Sequence, residues 1–193
     1  MSLPALPPVE AIRTPESTLS APLPVTRWQK IRAYLLLWLL GLGVFVFDQL
    51  SKVWIAQAIP FDAANYHHHH FTIIDGFFYL IHVGNTGAAW SLFTGQSTIL
   101  ALLALLTLVG IYFCRQALEL KQRPVQLAFG LLCGGIIGNL VDRIVYGHVI
   151  DFLDFHFGDY IYPTFNIADA GICIGVTIYL IYSLRHGSEK EVK

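Results

Sequence analysis

Four long apolar runs do most to constrain how this chain can fold. They cover residues 31–58, 99–113, 125–145 and 167–184. A helix needs about 20 apolar residues to cross a bilayer at about 1.5 Å per residue, and all four runs qualify, the second only with a leading turn from about residue 88. Only 13% of the residues are charged, and the mean hydropathy is +0.58. The sequence therefore predicts an all-α membrane protein with four transmembrane helices.

The basic residues predict how these helices are oriented. Because loops rich in Lys and Arg remain in the cytoplasm, the side that carries most of them is the cytoplasmic side. Ten basic residues lie before or at the start of the first run, between the second and third, or after the fourth, and two lie towards the opposite side. We therefore expect both termini in the cytoplasm and segments 59–98 and 146–166 outside. The ten are Arg13, Arg27, Lys30, Arg32, Arg115, Lys121, Arg123, Arg185, Lys190 and Lys193, and the two are Lys52 and Arg143.

The outer segment between the first two runs predicts a small β-sheet. Residues 71–74 and 77–83 are rich in aromatic and β-branched side chains, and Asp75-Gly76 between them is a turn signal. We expect this extracytoplasmic β element at about residues 66–90, between spans 1 and 2, lying on the membrane surface.

The remaining sequence indicates one transmembrane domain with two tails. Residues 1–27 are rich in proline and lack the apolar core of a cleavable signal peptide, so they are expected to be a disordered cytoplasmic tail. Residues 28–186 form the four-helix domain, and residues 187–193 form a second cytoplasmic tail. A net charge of −1 argues against a nucleic-acid partner.

Several polar residues interrupt the apolar runs and are functional candidates, because hydrocarbon penalises such groups. Asp48 and Lys52 are four residues apart, so they share a helix face and can pair. Asn139, Asp142 and Arg143 also share one face. A structural Asp–Arg pair at the helix end is the simplest interpretation of Asp142.

Two small-xxx-small glycine pairs predict close helix packing. Gly134 and Gly138 lie in the third run, and Gly171 and Gly175 lie in the fourth. Because glycine lets helix backbones approach closely, these pairs would bring the third and fourth spans together.

The acidic residues near the last run each have more than one interpretation. Asn166 followed three residues later by Asp169 resembles a helix N-cap, which would explain both residues without catalysis. Asp151 can equally be a solvated loop carboxylate, like Asp154 or Asp159. Spacing alone does not choose among them.

Other protease chemistries find no support in the sequence. It contains no His-Glu-x-x-His zinc motif and no Gly-x-Ser-x-Gly elbow. Ser51 and Lys52 are adjacent, so on a helix they point in different directions and cannot form a dyad. The run His67–His70 can bind a metal adventitiously, but an exposed loop is the simpler interpretation. We expect neither a metal nor a cofactor.

Five blocks, in the same order along the chain, resemble the motifs of one family. They are Phe47-Asp48-Gln49-Leu50-Ser51-Lys52, Asn85-Thr86-Gly87-Ala88-Ala89-Trp90-Ser91, residues 134–143, Gly147-His148-Val149-Ile150-Asp151-Phe152 and Phe165-Asn166-Ile167-Ala168-Asp169. Over about residues 30 to 185 the chain resembles the lipoprotein signal peptidases (signal peptidase II), which are bacterial inner-membrane aspartyl peptidases. It departs from the pattern at Trp90, where Phe is more usual, and in the long N-terminal tail and the His67–His70 run.

The resemblance implies a catalytic dyad of Asp151 and Asp169. It implies substrate-binding or dyad-supporting roles for several polar residues and structural roles for others. The supporting residues are Asp48, Asn85, Asn139, Arg143 and Asn166, and Asp142 is structural by the same resemblance. The pairing and spacing described above make Lys52, Gly134 and Gly138 structural as well.

The resemblance also implies a substrate and a location. The substrate would be a diacylglyceryl-modified prolipoprotein, cut just before its lipidated cysteine. The enzyme would lie among the lipids of the bacterial inner membrane as a multi-pass protein, with its active site near the outer face. We expect a monomer, because the dyad needs only one chain.

Two alternatives belong to other functional classes. In a small transporter or channel, the polar residues of the spans would line an ion pathway. The absence of visible inverted repeats and of a broken helix pair argues against this. In a non-catalytic assembly subunit, the glycines and ion pairs would only pack helices. Both alternatives require Asp151 and Asp169 to act independently.

Overall fold

The computed structural model describes residues 27–88, 90 and 92–191. The expected disordered tail over residues 1–27 therefore lies outside the described residues except for Arg27, as do the last two residues of the expected C-terminal tail. Within these residues the chain forms five helices and four strands. In order they are α1 (Arg27–Arg32), α2 (Leu35–Ala58), β1 (Phe71–Ile74), β2 (Phe78–Asn85), α3 (Ser97–Phe113), α4 (Arg123–Val145), β3 (Val149–Phe157), β4 (Tyr160–Ile161) and α5 (Ile167–Glu191).

Three of the described helices are long and apolar enough to cross a membrane. They are α2, α4 and the Ile167–His186 part of α5. Helix α3 is also apolar, but its 17 residues make it about 26 Å long, at the lower limit for a span. The leading turn expected from about residue 88 does not join it, because α3 begins at Ser97.

Helix α4 is the central helix of the bundle. About 56% of the most apolar stretch of α4 is buried, compared with 17% of the corresponding stretch in α2 and in α5. The first turn of α4 contains Pro124, where the missing backbone N–H costs no helical hydrogen bond. Large side chains on the outer faces of α2 and α5, such as Leu39, Phe47 and Leu184, are exposed and suit contact with lipid.

Glycines pack α4 against both neighbours, against α5 as predicted and against α2 in addition. A Cβ on Gly134 would lie 2.5 Å from the carbonyl oxygen of Gly41, so this glycine faces α2 and not α5. The expected approach of α4 and α5 occurs at Gly171 and Gly175, where a Cβ would lie 3.2 Å and 2.5 Å from carbonyl oxygens of α4. Gly135 adds to it, because its Cβ would collide with the carbonyl oxygen of Ala168. Gly138 borders both helices, because its Cβ would meet the Asp48 carboxylate at 2.5 Å and the Cβ of Ala168 at 3.4 Å.

The sheet is larger than the sequence predicted. Strands β1 and β2 form the expected hairpin, and Gly76 at its turn adopts a φ of +72°. However, the sheet has four antiparallel strands in the order β1-β2-β3-β4, and the last two come from the segment between α4 and α5. The expectation of a sheet confined to the region between the first two spans was therefore wrong. The sequence does not reveal β3, because its acidic residues suggest a loop and because its partner strand, β2, is distant in the sequence.

The sheet is fixed to one end of the helical bundle. Ile55 and Ile59, at the C-terminal end of α2, pack in one buried cluster with Ile150 and Phe152 of β3. The C-terminal end of α4 and the N-terminal end of α5 are connected through β3 and β4 and lie at the same end. Polar residues of the helix ends and of the sheet therefore meet at one place.

Candidate active site

Asp151 and Asp169 line one cavity at the junction of the sheet and the helices. The cavity has a volume of about 420 Å³. Asp151 lies on β3 and Asp169 in the first turn of α5. Asp151 is only 2% exposed, so the interpretation as a solvated loop carboxylate is wrong, whereas Asp159 is exposed. The apolar part of the wall includes Ala88, Val149, Phe165, Ala170, Ile172 and Cys173.

Side-chain amides hold both oxygens of Asp151. Asn85 Nδ2, at the end of β2, donates to Asp151 Oδ2 at 2.9 Å. Asn166 Nδ2, immediately before α5, donates to Asp151 Oδ1 at 2.7 Å. Burial, and next to it the nearby charge of Asp169, raise the pKa of Asp151 to about 7. At neutral pH this carboxyl group is therefore poised between its protonated and ionised forms.

Asp169 is a helix cap and a cavity residue at the same time. Its backbone N–H donates to Asn166 Oδ1 at 2.9 Å, and its own Oδ2 accepts the backbone N–H of Asn166 at 3.2 Å. These reciprocal bonds are the capping box that the sequence predicted. Asp169 Oδ1 also accepts a hydrogen bond from Asn139 Nδ2 at 2.7 Å. The cap does not exclude a functional role, because the carboxyl group still lines the cavity.

Asn166 connects the two aspartates. Its side chain is fully buried, and its two ends serve different partners. Oδ1 caps the backbone N–H of Asp169, while Nδ2 lies within hydrogen-bond distance of Asp151 Oδ1, Asn139 Oδ1 and the carbonyl oxygen of Ile150. Because Asp169 Oδ2 also accepts the backbone N–H of Asn166, both carboxyl groups contact this one residue. This favours a coupled pair, whereas the transporter and assembly interpretations require independent carboxyl groups.

A buried charge cluster supports the site. Lys52 Nζ lies 2.8 Å from Asp48 Oδ2 and 2.7 Å from Asp142 Oδ2, and it donates to Asn139 Oδ1 at 2.9 Å. The pairing of Asp48 with Lys52 follows the i, i+4 spacing. The expected pairing of Asp142 with Arg143 is wrong, because neighbouring helical residues point in different directions and Asp142 faces α2 instead.

Two contacts between helices in this cluster were not foreseen. Asp48 Oδ1 accepts the backbone N–H of Ala168 at 2.9 Å, so a side chain of α2 caps an amide in the first turn of α5. Gln49 Nε2 donates to Asp142 Oδ1 at 2.9 Å. The only sequence signal for Gln49 is a polar side chain inside an apolar run, next to Asp48.

Arg143 fixes the turn that follows β2. One of its terminal nitrogens donates to the carbonyl oxygen of Gly87 at 3.0 Å, and the other contacts the carbonyl oxygen of Asn139 at 3.3 Å. In the part of the chain that the structure describes, its Nε is a buried donor with no partner. Because Arg143 also lines the cavity, it offers a positive charge and a donor to a polar group that enters.

Comparison with known proteins places this geometry in a family. A family model described as Signal peptidase (SPase) II matches residues 40–185. The lipoprotein signal peptidase of Bacillus subtilis (strain 168) is 35% identical over 164 residues, which cover 81% of this chain and 98% of that protein. The lipoprotein signal peptidase of Burkholderia vietnamiensis (strain G4 / LMG 22486) is 40% identical over 156 residues, covering 77% and 87% of the two proteins.

A solved structure shows the same fold. It is described as a bacterial membrane enzyme at 2.3 Å resolution, and it superposes with a TM-score of 0.69 and 31% identity. The match covers 80% of this chain and 91% of that chain. The matched region of the family model includes every residue of the site, from Asp48 to Asp169.

Proposed function

The chain belongs to the signal peptidase II family, and from this premise we propose that it is an aspartic endopeptidase whose catalytic pair is Asp151 and Asp169. Its reaction is removal of the signal peptide from prolipoproteins in the bacterial inner membrane. The observation that carries the assignment of the pair is that both carboxyl groups, one buried and one half-buried, line one cavity and accept hydrogen bonds from the same asparagine, Asn166.

The chemistry follows from two carboxyl groups that cannot both ionise easily. The ionised member accepts a proton from a water molecule, whose oxygen attacks the scissile carbonyl carbon. The protonated member donates a hydrogen bond to the carbonyl oxygen as negative charge develops there. When the C–N bond breaks, the leaving nitrogen receives a proton from the pair. The shift in the pKa of Asp151 to about 7 supports a singly protonated pair at neutral pH.

Three asparagines hold the pair in position for this chemistry. Asn85, Asn139 and Asn166 donate to the carboxyl oxygens at distances of 2.7 to 2.9 Å. An amide keeps its donor at all relevant pH values, so the carboxylates stay oriented while their own protonation changes. Arg143, which also lines the cavity, binds polar atoms of the substrate.

The substrate that fits the cavity is a diacylglyceryl-modified prolipoprotein, cut before its lipidated cysteine. The cavity combines the acidic pair with apolar walls from α5 and the sheet, which suits an apolar signal peptide. In this proposal α3 is the fourth span, both termini are cytoplasmic, and the sheet with the active site lies at the outer face. The basic residues on the opposite side support this orientation. One chain supplies the whole pair, so the enzyme works as a monomer.

A cleavage assay tests the proposal. Purified full-length protein in detergent is given a diacylglyceryl-modified prolipoprotein and, separately, the unmodified precursor, and the product is followed by gel shift. We expect cleavage of the lipidated substrate only. Asp151→Asn and Asp169→Asn should each lose it by at least about a thousandfold, because either change removes one of the two proton-transfer groups.

The matched control is Asp159→Asn. It makes the same chemical change at an exposed acid of the same outer segment, so cleavage should persist. Thermal unfolding of all variants separates lost chemistry from lost folding. Turnover at the wild-type rate by either Asp151→Asn or Asp169→Asn would remove that residue from the catalytic pair.

A further inference from the structure

A second cluster of ligand-type side chains lies on the outer sheet, away from the catalytic pair. Asp154 and His156 are two residues apart on β3, and His67 comes from the segment before β1. Asp154 Oδ2 lies 2.7 Å from His156 Nε2 and 3.7 Å from His67 Nδ1. One nitrogen or oxygen from each of the three side chains lies within 4.8 Å of the others.

These distances suit coordination of an ion. A tetrahedral ion with bonds of about 2.0–2.2 Å holds its ligand atoms about 3.4 Å apart. The contact of 3.7 Å must close by a few tenths of an ångström, and the contact of 2.7 Å must open as its shared proton leaves. The two imidazole nitrogens, which lie at most 4.8 Å apart, must also approach each other. All three are side-chain adjustments, and the side chain of His67 is 48% exposed, which leaves it room to move.

The carboxylate of the cluster is already fixed. The side chain of Asp154 is only 1% exposed, and its other oxygen, Oδ1, accepts a hydrogen bond from Thr164 Oγ1 at 3.2 Å. Oδ2 therefore contacts only the two imidazoles among these groups. Thr164 orients the carboxylate through a hydrogen bond without being a ligand itself, as residues next to metal ligands commonly do. An aspartate–histidine ion pair alone would explain His156, but it leaves the approach of His67 to the same oxygen unexplained.

We propose that His67, Asp154 and His156 bind one divalent transition-metal ion, with Zn²⁺ as the best fit to two imidazoles and one carboxylate. A water molecule takes the fourth position, because the exposed side of His67 leaves the cluster open to solvent. The ion links the segment that precedes β1 to strand β3 and so fixes the outer edge of the protein. This inference goes beyond the peptidase reaction, which uses none of the three residues.

The rest of the histidine run does not belong to this cluster. His68 pairs with Asp62 at 3.3 Å, and the ring of His69 packs against that of His68. His70 Nδ1 contacts the carbonyl oxygen of His67 at 2.8 Å. Adventitious metal binding by the histidine run would depend on His68, His69 and His70. The proposed site uses only His67 of the four histidines in the run.

Zn²⁺ binding to the full-length protein tests the proposal. The protein is purified in detergent without a histidine tag, treated with a chelator, and titrated with Zn²⁺ by calorimetry. Co²⁺ serves as a spectroscopic probe of ligand number and geometry. We expect one ion per chain, with the affinity reduced at least tenfold by His67→Ala and by His156→Ala. Zn²⁺ should also protect the segment that contains His67 from proteolysis in the wild type and not in these variants.

His69→Ala is the matched control, because it removes an imidazole from the same run and leaves the cluster intact. Its affinity for Zn²⁺ should equal that of the wild type. Equal loss in His69→Ala and His67→Ala would assign the binding to the run and overturn the proposal, as would failure of the wild type to bind. His67 is half exposed, so His67→Ala keeps the test decisive even if His156→Ala does not fold. Retained cleavage activity in each variant shows that the peptidase fold is intact.

Discussion

Replacement of Lys52 by methionine is the sharpest test of how the active-site end of the bundle is held together. Lys52 is the shared cation of Asp48 and Asp142, and all three residues are at most 1% exposed. Methionine keeps a similar length and removes only the charge and its donors. The change therefore leaves two buried carboxylates without their counter-ion and one asparagine, Asn139, without a lysine donor to its Oδ1.

The contacts give the magnitude. At an effective dielectric constant of 20, two unit charges about 4 Å apart attract by about 4 kcal/mol, and Lys52 has two such partners. Part of this attraction offsets the cost of burying the three charges in the wild type. Measurements on buried pairs show a loss of about 3–5 kcal/mol when one partner is removed. We expect a loss in this range, which corresponds to a fall in Tm of about 6–20 °C for a chain of this size.

Unfolding in mixed detergent micelles, followed by circular dichroism, measures this loss. The double variant Lys52→Met, Asp142→Asn is the informative comparison, because it also removes one of the stranded charges. It should recover about half of the lost free energy of unfolding, since the amide introduced at position 142 can still accept a hydrogen bond from Gln49. A Lys52→Met variant within about 1 kcal/mol of the wild type, or a double variant less stable than the single one, would refute the reasoning.

Two further predictions concern the pair and the helix packing. Because the pKa of Asp151 is raised to about 7, kcat/KM should fall tenfold per pH unit above about pH 7. The proton on Asp151 also stabilises the fold: this stabilisation is complete below about pH 4 and should be lost as the pH rises to 7. Asp151→Asn should abolish this pH dependence of unfolding. Gly135→Ala should destabilise the bundle by about 2 kcal/mol or more, because its Cβ collides with the carbonyl oxygen of Ala168, whereas Gly43→Ala, with nothing within 4 Å, should unfold like the wild type.

The elements that local sequence determines were predictable. Apolar length alone located α2, α4 and α5, and the Asp75-Gly76 turn located the β1–β2 hairpin. The capping box of Asn166 and Asp169 was also readable, since both partners lie within one turn. In each case the interacting groups are separated by only a few residues, so spacing carries the information.

The contacts between distant segments were not predictable by spacing. Strand β3 was mistaken for a loop because its partner β2 is about 70 residues earlier and its acids look solvated in the sequence. Asp142 was assigned to its neighbour Arg143, although its partner Lys52 lies on another helix. The approach of His67 to β3 likewise depends on a fold that brings the two segments together. The pairing of Asp151 with Asp169 came from family resemblance for the same reason.

The capping and catalytic interpretations of Asp169 are complementary, because each carboxyl oxygen has about two positions for accepting a hydrogen bond. Amide donors occupy one position on each oxygen of the pair, from Asn85 and Asn166 on Asp151 and from Asn139 and Asn166 on Asp169. An amide N–H cannot accept, so a proton on either carboxyl group must point away from these donors. It therefore points to the opposite carboxylate or to water in the cavity. In the proposed reaction, the cap that fixes Asp169 thus also directs a proton of the pair to the place where proton transfer needs it.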